Sequence, residues 1–343
     1  MTTAETTNRR ILLKSRPTGA PVAGNFQLDE APIPVPGDGE ILLRTIYLSL
    51  DPYMRGRMSD APSYAAPVEI DEVMTAGTVA KVVESNHPDY AVDEWVVSYH
   101  GWQDYAVSDG SELTRLGKTP AHPSYALGAL GMPGLTAYGG LLEFGQPKSG
   151  DTLVVAAATG AVGSLVGQIA KLKGCRVIGI AGGEKKCGHA VENLGFDACL
   201  NHHQDDLEAQ LARACPDGID IYFENVGGRV LQAVLPLLNQ GARMPVCGLI
   251  SAYNATSLPD GPDRTALLMR SVLVNQLSIR GFIVFNDLGH LYSQFSQDMT
   301  AWLAEGKIHY TEDVVNGLEN APEAFIGLLE GKNFGKLVVQ VTE

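Results

Sequence analysis

Ala158, Gly160 and Gly163 form the spacing Ala-x-Gly-x-x-Gly, one methyl away from the pattern G-x-G-x-x-G. Small residues at this spacing let a backbone pass close to a pyrophosphate. The free N–H groups of a following helix then bind its charge. The surrounding sequence supplies the context that this chemistry needs. Residues 152–157 read as a buried strand, the residues after Gly163 as an amphipathic helix, and residues 176–180 as a second strand. Gly160, Ala161, Val162 and Gly163 are therefore candidate pyrophosphate contacts.

The tip of the second strand discriminates between nucleotides. An NAD site usually places Asp or Glu about 20 residues past the turn, on the ribose 2′-hydroxyl. Here Ala181, Gly182 and Gly183 are followed by Glu184, Lys185 and Lys186. No carboxylate occupies the tip itself, and two ammonium groups follow at once. A 2′-phosphate carries about two negative charges, so this tip favours NADP, with Gly182 and Lys186 as contacts. The other reading of the lysines is a pair of solvated charges opening a helix.

Elements able to hold such a site are legible around it. The first third is β-rich, with apolar segments at 41–47, 77–84 and 95–99 between Pro, Gly, Asp and Asn turns. Helical spacing over 125–144 leads into the fingerprint. Candidate strands then follow at 152–157, 176–180, 198–200, 219–224, 242–248 and 277–284, with helices at 186–194, 207–214 and 228–238. That alternation predicts an α/β fold with a complete doubly wound parallel sheet. A helix at 321–331 and a strand at 336–341 are expected to return to the first domain.

Bulk properties narrow the partners. The 343 residues are 45% hydrophobic and 19% charged, which suits a two-domain globular chain. A formal charge of −14 argues against nucleic acid or an anionic membrane as partner. No apolar run approaches the roughly 20 residues of a membrane span, and residues 1–10 lack a secretory core, so a cytoplasmic location is expected. The five cysteines, at 175, 187, 199, 215 and 247, form no C-x-x-C pair and suggest a reducing compartment. No cysteine precedes 175, and His87, His100 and His122 have no ligand at a useful spacing, so no metal site is expected.

Seven segments carry a resemblance to a known family. They are Leu-Asp-Pro-Tyr-Met-Arg-Gly-Arg-Met at 50–58, Gly-Trp-Gln-Asp-Tyr at 101–105, Gly-Met-Pro-Gly-Leu-Thr-Ala-Tyr at 131–138, and Ala-Ala-Thr-Gly-Ala-Val-Gly at 157–163. The others are Glu-Asn-Val-Gly-Gly at 224–228, Gly-Leu-Ile-Ser-Ala-Tyr-Asn at 248–254, and Gly-Lys-Asn-Phe-Gly-Lys at 331–336. In this order, over nearly the whole chain, they resemble the zinc-independent double-bond reductases of the medium-chain dehydrogenase/reductase superfamily. That branch contains prostaglandin reductases, plant alkenal reductases and bacterial curcumin-reductase-like proteins. The resemblance implies a GroES-like substrate domain (1–128 and 305–343) and a Rossmann-type NADP domain (129–304). It also implies a homodimer, with which the apolar edge at 277–285 is compatible.

The activity so implied is NADPH-dependent reduction of the carbon–carbon double bond of α,β-unsaturated ketones and aldehydes. Tyr253 would donate a hydrogen bond to the carbonyl oxygen, for which a phenol with a pKa near 10 suffices at neutral pH. Tyr64 would cap the pocket or serve as a second catalytic group, and Tyr53 would line it. Cofactor contacts carried over are Pro133, Thr136, Asn225, Cys247, Tyr253, Phe282, Val284 and Asn333. Asp51 and Arg55 read as parts of a structural turn. One departure concerns His202, where the family usually has tyrosine. Its imidazole could stack on adenine or, once protonated, contact the phosphate, so affinity for NADP is expected to rise as pH falls through about 6.5. The competing readings are a quinone reductase and a non-catalytic NADPH-binding protein.

Overall fold

The computed structural model describes residues 7–258 and 263–342. Within them the chain folds as two compact units. The first takes residues up to 128, 312–333 and 337 onward; the second takes 129–311 and 334–336.

The first unit opens with a hairpin of β1 (Thr7–Leu13) and β2 (Phe26–Pro32). Then come β3 (Ile41–Ser49), α1 (Met54–Arg57), β4 (Thr78–Ser85), β5 (Trp95–Ser98), β6 (Tyr105–Ser108) and β7 (Thr114–Gly117). β3 is buried along most of its length because two cores use it. Ile41 and Leu43 pack with Val82 and Val96, while Leu48 packs with Leu13, Trp102 and Phe325. Phe26 stacks on Trp102 at 5.7 Å and Phe325 meets it edge-on at 5.8 Å, an arrangement favoured by the ring quadrupoles.

The second unit contains α2 (Met132–Gly139), β8 (Thr152–Ala156), α3 (Gly163–Leu172), β9 (Arg176–Ala181), α4 (Glu184–Glu192) and β10 (Ala198–Asn201). It continues through α5 (Leu207–Ala214), β11 (Ile219–Phe223), α6 (Gly228–Val234), β12 (Leu238–Val246), α7 (Thr265–Val274), β13 (Ser278–Gly281), α8 (Val284–Leu288) and α9 (Tyr292–Ala304). The six strands are parallel in the order β10-β9-β8-β11-β12-β13. This is the doubly wound order, in which ligands bind beyond the carboxyl ends of the strands where the winding reverses, here between β8 and β11. β8 is buried throughout, as a central parallel strand covered on both faces must be. The chain then returns through β14 (Glu312–Asn316), α10 (Ala321–Leu329) and β15 (Lys336–Gln340); β15 pairs with β3 from Val338 onward.

Two boundaries differ from expectation. The strand anticipated over 277–284 stops at Gly281, because the Ile283 N–H donates to the Asp287 carboxylate (2.8 Å) and a helix begins at Val284. Residues 305–311 pack with the second unit, not the first. Ile308 enters its core, and His309 exchanges bonds of 2.7 and 2.9 Å with the Gln168 amide. No described helix is long and apolar enough to cross a membrane.

Candidate functional site

The turn after β8 is built for close approach. Ala157 adopts a left-handed backbone (φ +53°), and the Gly160 N–H closes the turn on the Ala157 carbonyl at 2.9 Å. Gly163 opens α3 directly against that carbonyl, and a methyl group there would overlap the oxygen. Glycine is therefore required by contact, not by φ. Gly160, Ala161 and Val162 remain partly accessible just before α3, where the Ser164 and Leu165 N–H groups already donate to the Gly160 and Val162 carbonyls at 3.1 Å each. Residues 334–336 run beside this turn, with the Gly335 N–H on the Thr159 carbonyl at 3.1 Å.

At the tip of β9 the expected nucleotide contacts come together. A side chain at Gly182 would press on the Nε2 atoms of both His202 and His203, at 3.2 and 3.1 Å, so the two imidazoles converge over this glycine. Their ring centroids are 4.2 Å apart. Glu184, the carboxylate just past the strand tip, is tied down. Its Oε1 accepts from the Asn201 and Gln204 side-chain amides, each at 3.0 Å. Lys185 lies over the Phe334 ring at 5.6 Å, while the charge of Lys186 acts on His202. Arg229, which sequence reasoning missed, donates to the carbonyls of Gln204 (2.6 Å) and Asp205 (2.9 Å) beneath the same loop. The cations of Lys186 and Arg229 beside a Glu184 carboxylate already engaged by amides fit a phosphomonoester.

One detail is corrected. Burial, His203, Lys186 and Arg229 all lower the pKa of His202 below its ordinary 6.5. The titration anticipated at about 6.5 therefore lies at lower pH in the free protein.

The loops after β11 and β12 carry the remaining candidates of this unit. The Asn225 amide donates to the Ala156 carbonyl at 2.8 Å, joining this loop to the end of β8. The Tyr253 hydroxyl folds back over Gly248, where an added Cβ would sit 3.1 Å from it, and lies 3.5 Å from the Leu249 nitrogen. Burial and Glu224 push the Cys247 thiol up to about 12, so it stays protonated near neutral pH. Thr136 and Pro133 are buried on α2, with the Thr136 hydroxyl on the Met132 carbonyl (2.7 Å). Phe282 is a core residue, its ring 5.3 Å from Phe144 and 6.4 Å from Phe223, and Val284 packs against the same core. Their side chains are spent on packing, which leaves mainly main-chain atoms for a ligand.

In the first unit, Asp51 and Arg55 are buried in turn contacts. The Ser49 hydroxyl donates to Asp51, and Arg55 donates to the Gly19 carbonyl at 2.7 Å. Tyr53 is held well above the usual phenol range by burial and by Asp51, with Tyr99, Arg57 and Tyr64 also acting on it. Tyr64 is 61% exposed on its loop. Tyr99 and Arg57, not singled out from sequence, line a cavity of about 310 Å³ with Val68, Met74 and His100. Asn333 lines a separate groove of about 350 Å³ with Asp313, Ala324 and Lys332.

Comparison with known proteins places this geometry. A family of N-terminal domains of oxidoreductases matches residues 9–116, and a zinc-binding dehydrogenase family matches residues 161–305. Among the described residues no three His, Cys, Asp or Glu side chains gather to hold a metal ion. The chain is similar to the NADPH-dependent curcumin reductase of Escherichia coli, 64% identical over 97% of both chains. It is 41% identical to prostaglandin reductase 1 of Oryctolagus cuniculus, over 94% of this chain and 90% of that protein. Among solved structures it resembles CurA of Vibrio vulnificus in complex with NADPH. That match has a TM-score of 0.96 and 67% identity, and covers 98% of this chain and 99% of the other.

Proposed function

The chain belongs to the medium-chain dehydrogenase/reductase family, in its prostaglandin reductase and alkenal reductase branch, and from that membership we propose that it reduces the carbon–carbon double bond of α,β-unsaturated ketones and aldehydes. It is an oxidoreductase that uses NADPH. When bound, NADPH supplies the hydride that adds to the β-carbon. The chain's own residues must then do three things: bind the dinucleotide, hold the acceptor, and stabilise the charge that develops on the carbonyl oxygen.

The observation that carries the proposal is Tyr253, whose hydroxyl is fixed against Gly248 on the loop after β12, in the unit that carries the dinucleotide turn. A phenol O–H donates to an oxygen that gains charge in the transition state, and such donors are worth several kcal/mol when they are preorganised. The α-carbon of the resulting enolate is then protonated. Gly160, Ala161, Val162 and the start of α3 bind the pyrophosphate. Gly182, Lys186 and His202 bind the 2′-phosphate, and Asn225 fixes the loop beside β8. In the first unit, Tyr53 and Tyr64 are the proposed substrate contacts. A cytoplasmic location belongs to the same reading, and all five cysteines are free thiols.

Loss of reduced-nicotinamide absorbance with a panel of enones, alkenals and quinones tests this. Turnover of enones and alkenals is expected. Turnover of quinones alone would transfer the protein to the quinone reductases, and no turnover of any acceptor would leave a dinucleotide-binding protein without this activity. Tyr253→Phe is expected to cut kcat on an enone by about 10² to 10³.

A further inference from the structure

Glu224 directly follows β11 and is only 1% exposed. A buried carboxylate is costly unless it is paired or hydrogen-bonded. Its Oε1 accepts three donors: the Tyr222 hydroxyl at 3.0 Å, the Val226 N–H at 2.6 Å and the Gly227 N–H at 2.8 Å. Its Oε2 is buried without a donor among the described residues. Two of the three donors thus belong to one turn, over residues 224–228, and the third is Tyr222 on β11. An apolar residue would serve a parallel strand better if packing were the only demand.

That turn in turn holds the segment bearing Tyr253. The Glu224 carbonyl accepts from the Cys247 and Gly248 N–H groups at 3.0 and 3.2 Å, and the Asn225 carbonyl accepts from Ile250 at 3.2 Å. The Val226 carbonyl takes both the Ser251 N–H at 3.0 Å and the Ser251 hydroxyl at 2.6 Å. From Ile250 the chain closes on Tyr253 through a 3.2 Å bond from the Tyr253 N–H. A continuous main-chain path therefore runs from the carboxyl group to the phenol, within one unit.

We propose that Glu224 is a positioning residue for enone reduction: by clamping Val226 and Gly227 it sets the register of residues 248–253 and so the place of the Tyr253 hydroxyl. This rests on the role given to Tyr253 above. It requires the carboxyl shape more than its charge, so glutamine should serve nearly as well.

The test is a double-mutant cycle on the full chain, with kinetics on an enone and NADPH binding followed by fluorescence. Glu224→Ala is expected to lower kcat about 10-fold to 100-fold while the NADPH Kd moves less than about 3-fold. Glu224→Gln should return kcat to within about 3-fold of the parent. In a Tyr253→Phe background, Glu224→Ala should cost less than about 3-fold more, because residues acting through one another are non-additive. Tyr222→Phe, which keeps its volume and removes one donor, gives the same cycle if the alanine variant does not fold. Additive losses, or an NADPH Kd that rises in step with the loss of kcat, overturn the inference while the role of Tyr253 stands. A fully active Tyr253→Phe overturns that role, and this inference with it.

Discussion

Burial, the neighbouring His203 imidazole and the cations of Lys186 and Arg229 all favour the neutral form of His202, so its pKa lies below the ordinary 6.5. A protonated imidazole binds a phosphate dianion better than a neutral one. Affinity for NADPH therefore rises as pH falls towards this depressed free-protein pKa and levels off below it, because a bound phosphate raises the pKa of the imidazole it contacts. The phosphate itself titrates near pH 6, which makes the comparison with His202→Tyr the informative one. The ratio of Kd values, variant over parent, should grow as pH falls from 8 towards the depressed pKa of His202. A constant ratio down to pH 5.5 would remove His202 from the phosphate site. At Lys186 the expectation is simpler. Lys186→Ala should raise the NADPH Kd about 10-fold, one charge-assisted bond, and leave the NADH Kd unchanged; an equal effect on both would place the lysine elsewhere.

Among the elements, the junction of β8 with α3 is the least tolerant of change. Gly163 lies against the Ala157 carbonyl with no room for a methyl group, so Gly163→Ala must move the start of α3 or distort a turn already in left-handed backbone at Ala157. We expect a lower melting temperature and, more telling, loss of the upward shift that saturating NADPH gives the parent, about 2.7 kcal/mol at 100 times Kd. A variant that melts lower yet keeps the full shift would show that the turn adjusts without losing the pyrophosphate. The strand–turn–helix was legible because its determinants are local: small residues at fixed spacing between two apolar runs. The end of β13 was not legible, because Leu277, Ile279 and the apolar Phe282 to Val284 read together as one strand, and the Asp287 carboxylate, reaching back to the Ile283 N–H, is what ends it.

For the whole molecule, the edge of the parallel sheet makes a statement about assembly. β13 is the last strand in the order, exposed along its length, and its outer edge offers backbone groups to another strand. Beside it in sequence, α7 exposes Leu267 (64%), Leu273 (79%) and Val274 (62%), an unusual density of apolar side chains for a solvated surface. Both features fit the homodimer that the family resemblance implies, and we propose that it forms by pairing two copies of β13. Leu273→Glu should shift the sedimentation mass from dimer towards monomer at micromolar concentration, whereas a parent that sediments as a monomer would dispose of the proposal.

The sequence by itself determined the doubly wound unit, its anion-binding turn and the family, because these depend on residue size, apolar periodicity and motif order along a continuous chain. It put Lys186 ahead of Lys185, yet it could not show that Glu184 is held by the side-chain amides of Asn201, the last residue of β10, and Gln204. Only the tertiary structure decided that burial and nearby cations lower the pKa of His202, that the Phe282 ring belongs to the core, and that the Glu224 carboxyl is buried against the turn it opens. Burial and the charges that act on a group come from residues tens of positions away, brought together by the parallel strand order, and they fix protonation and orientation in ways that residue type alone does not.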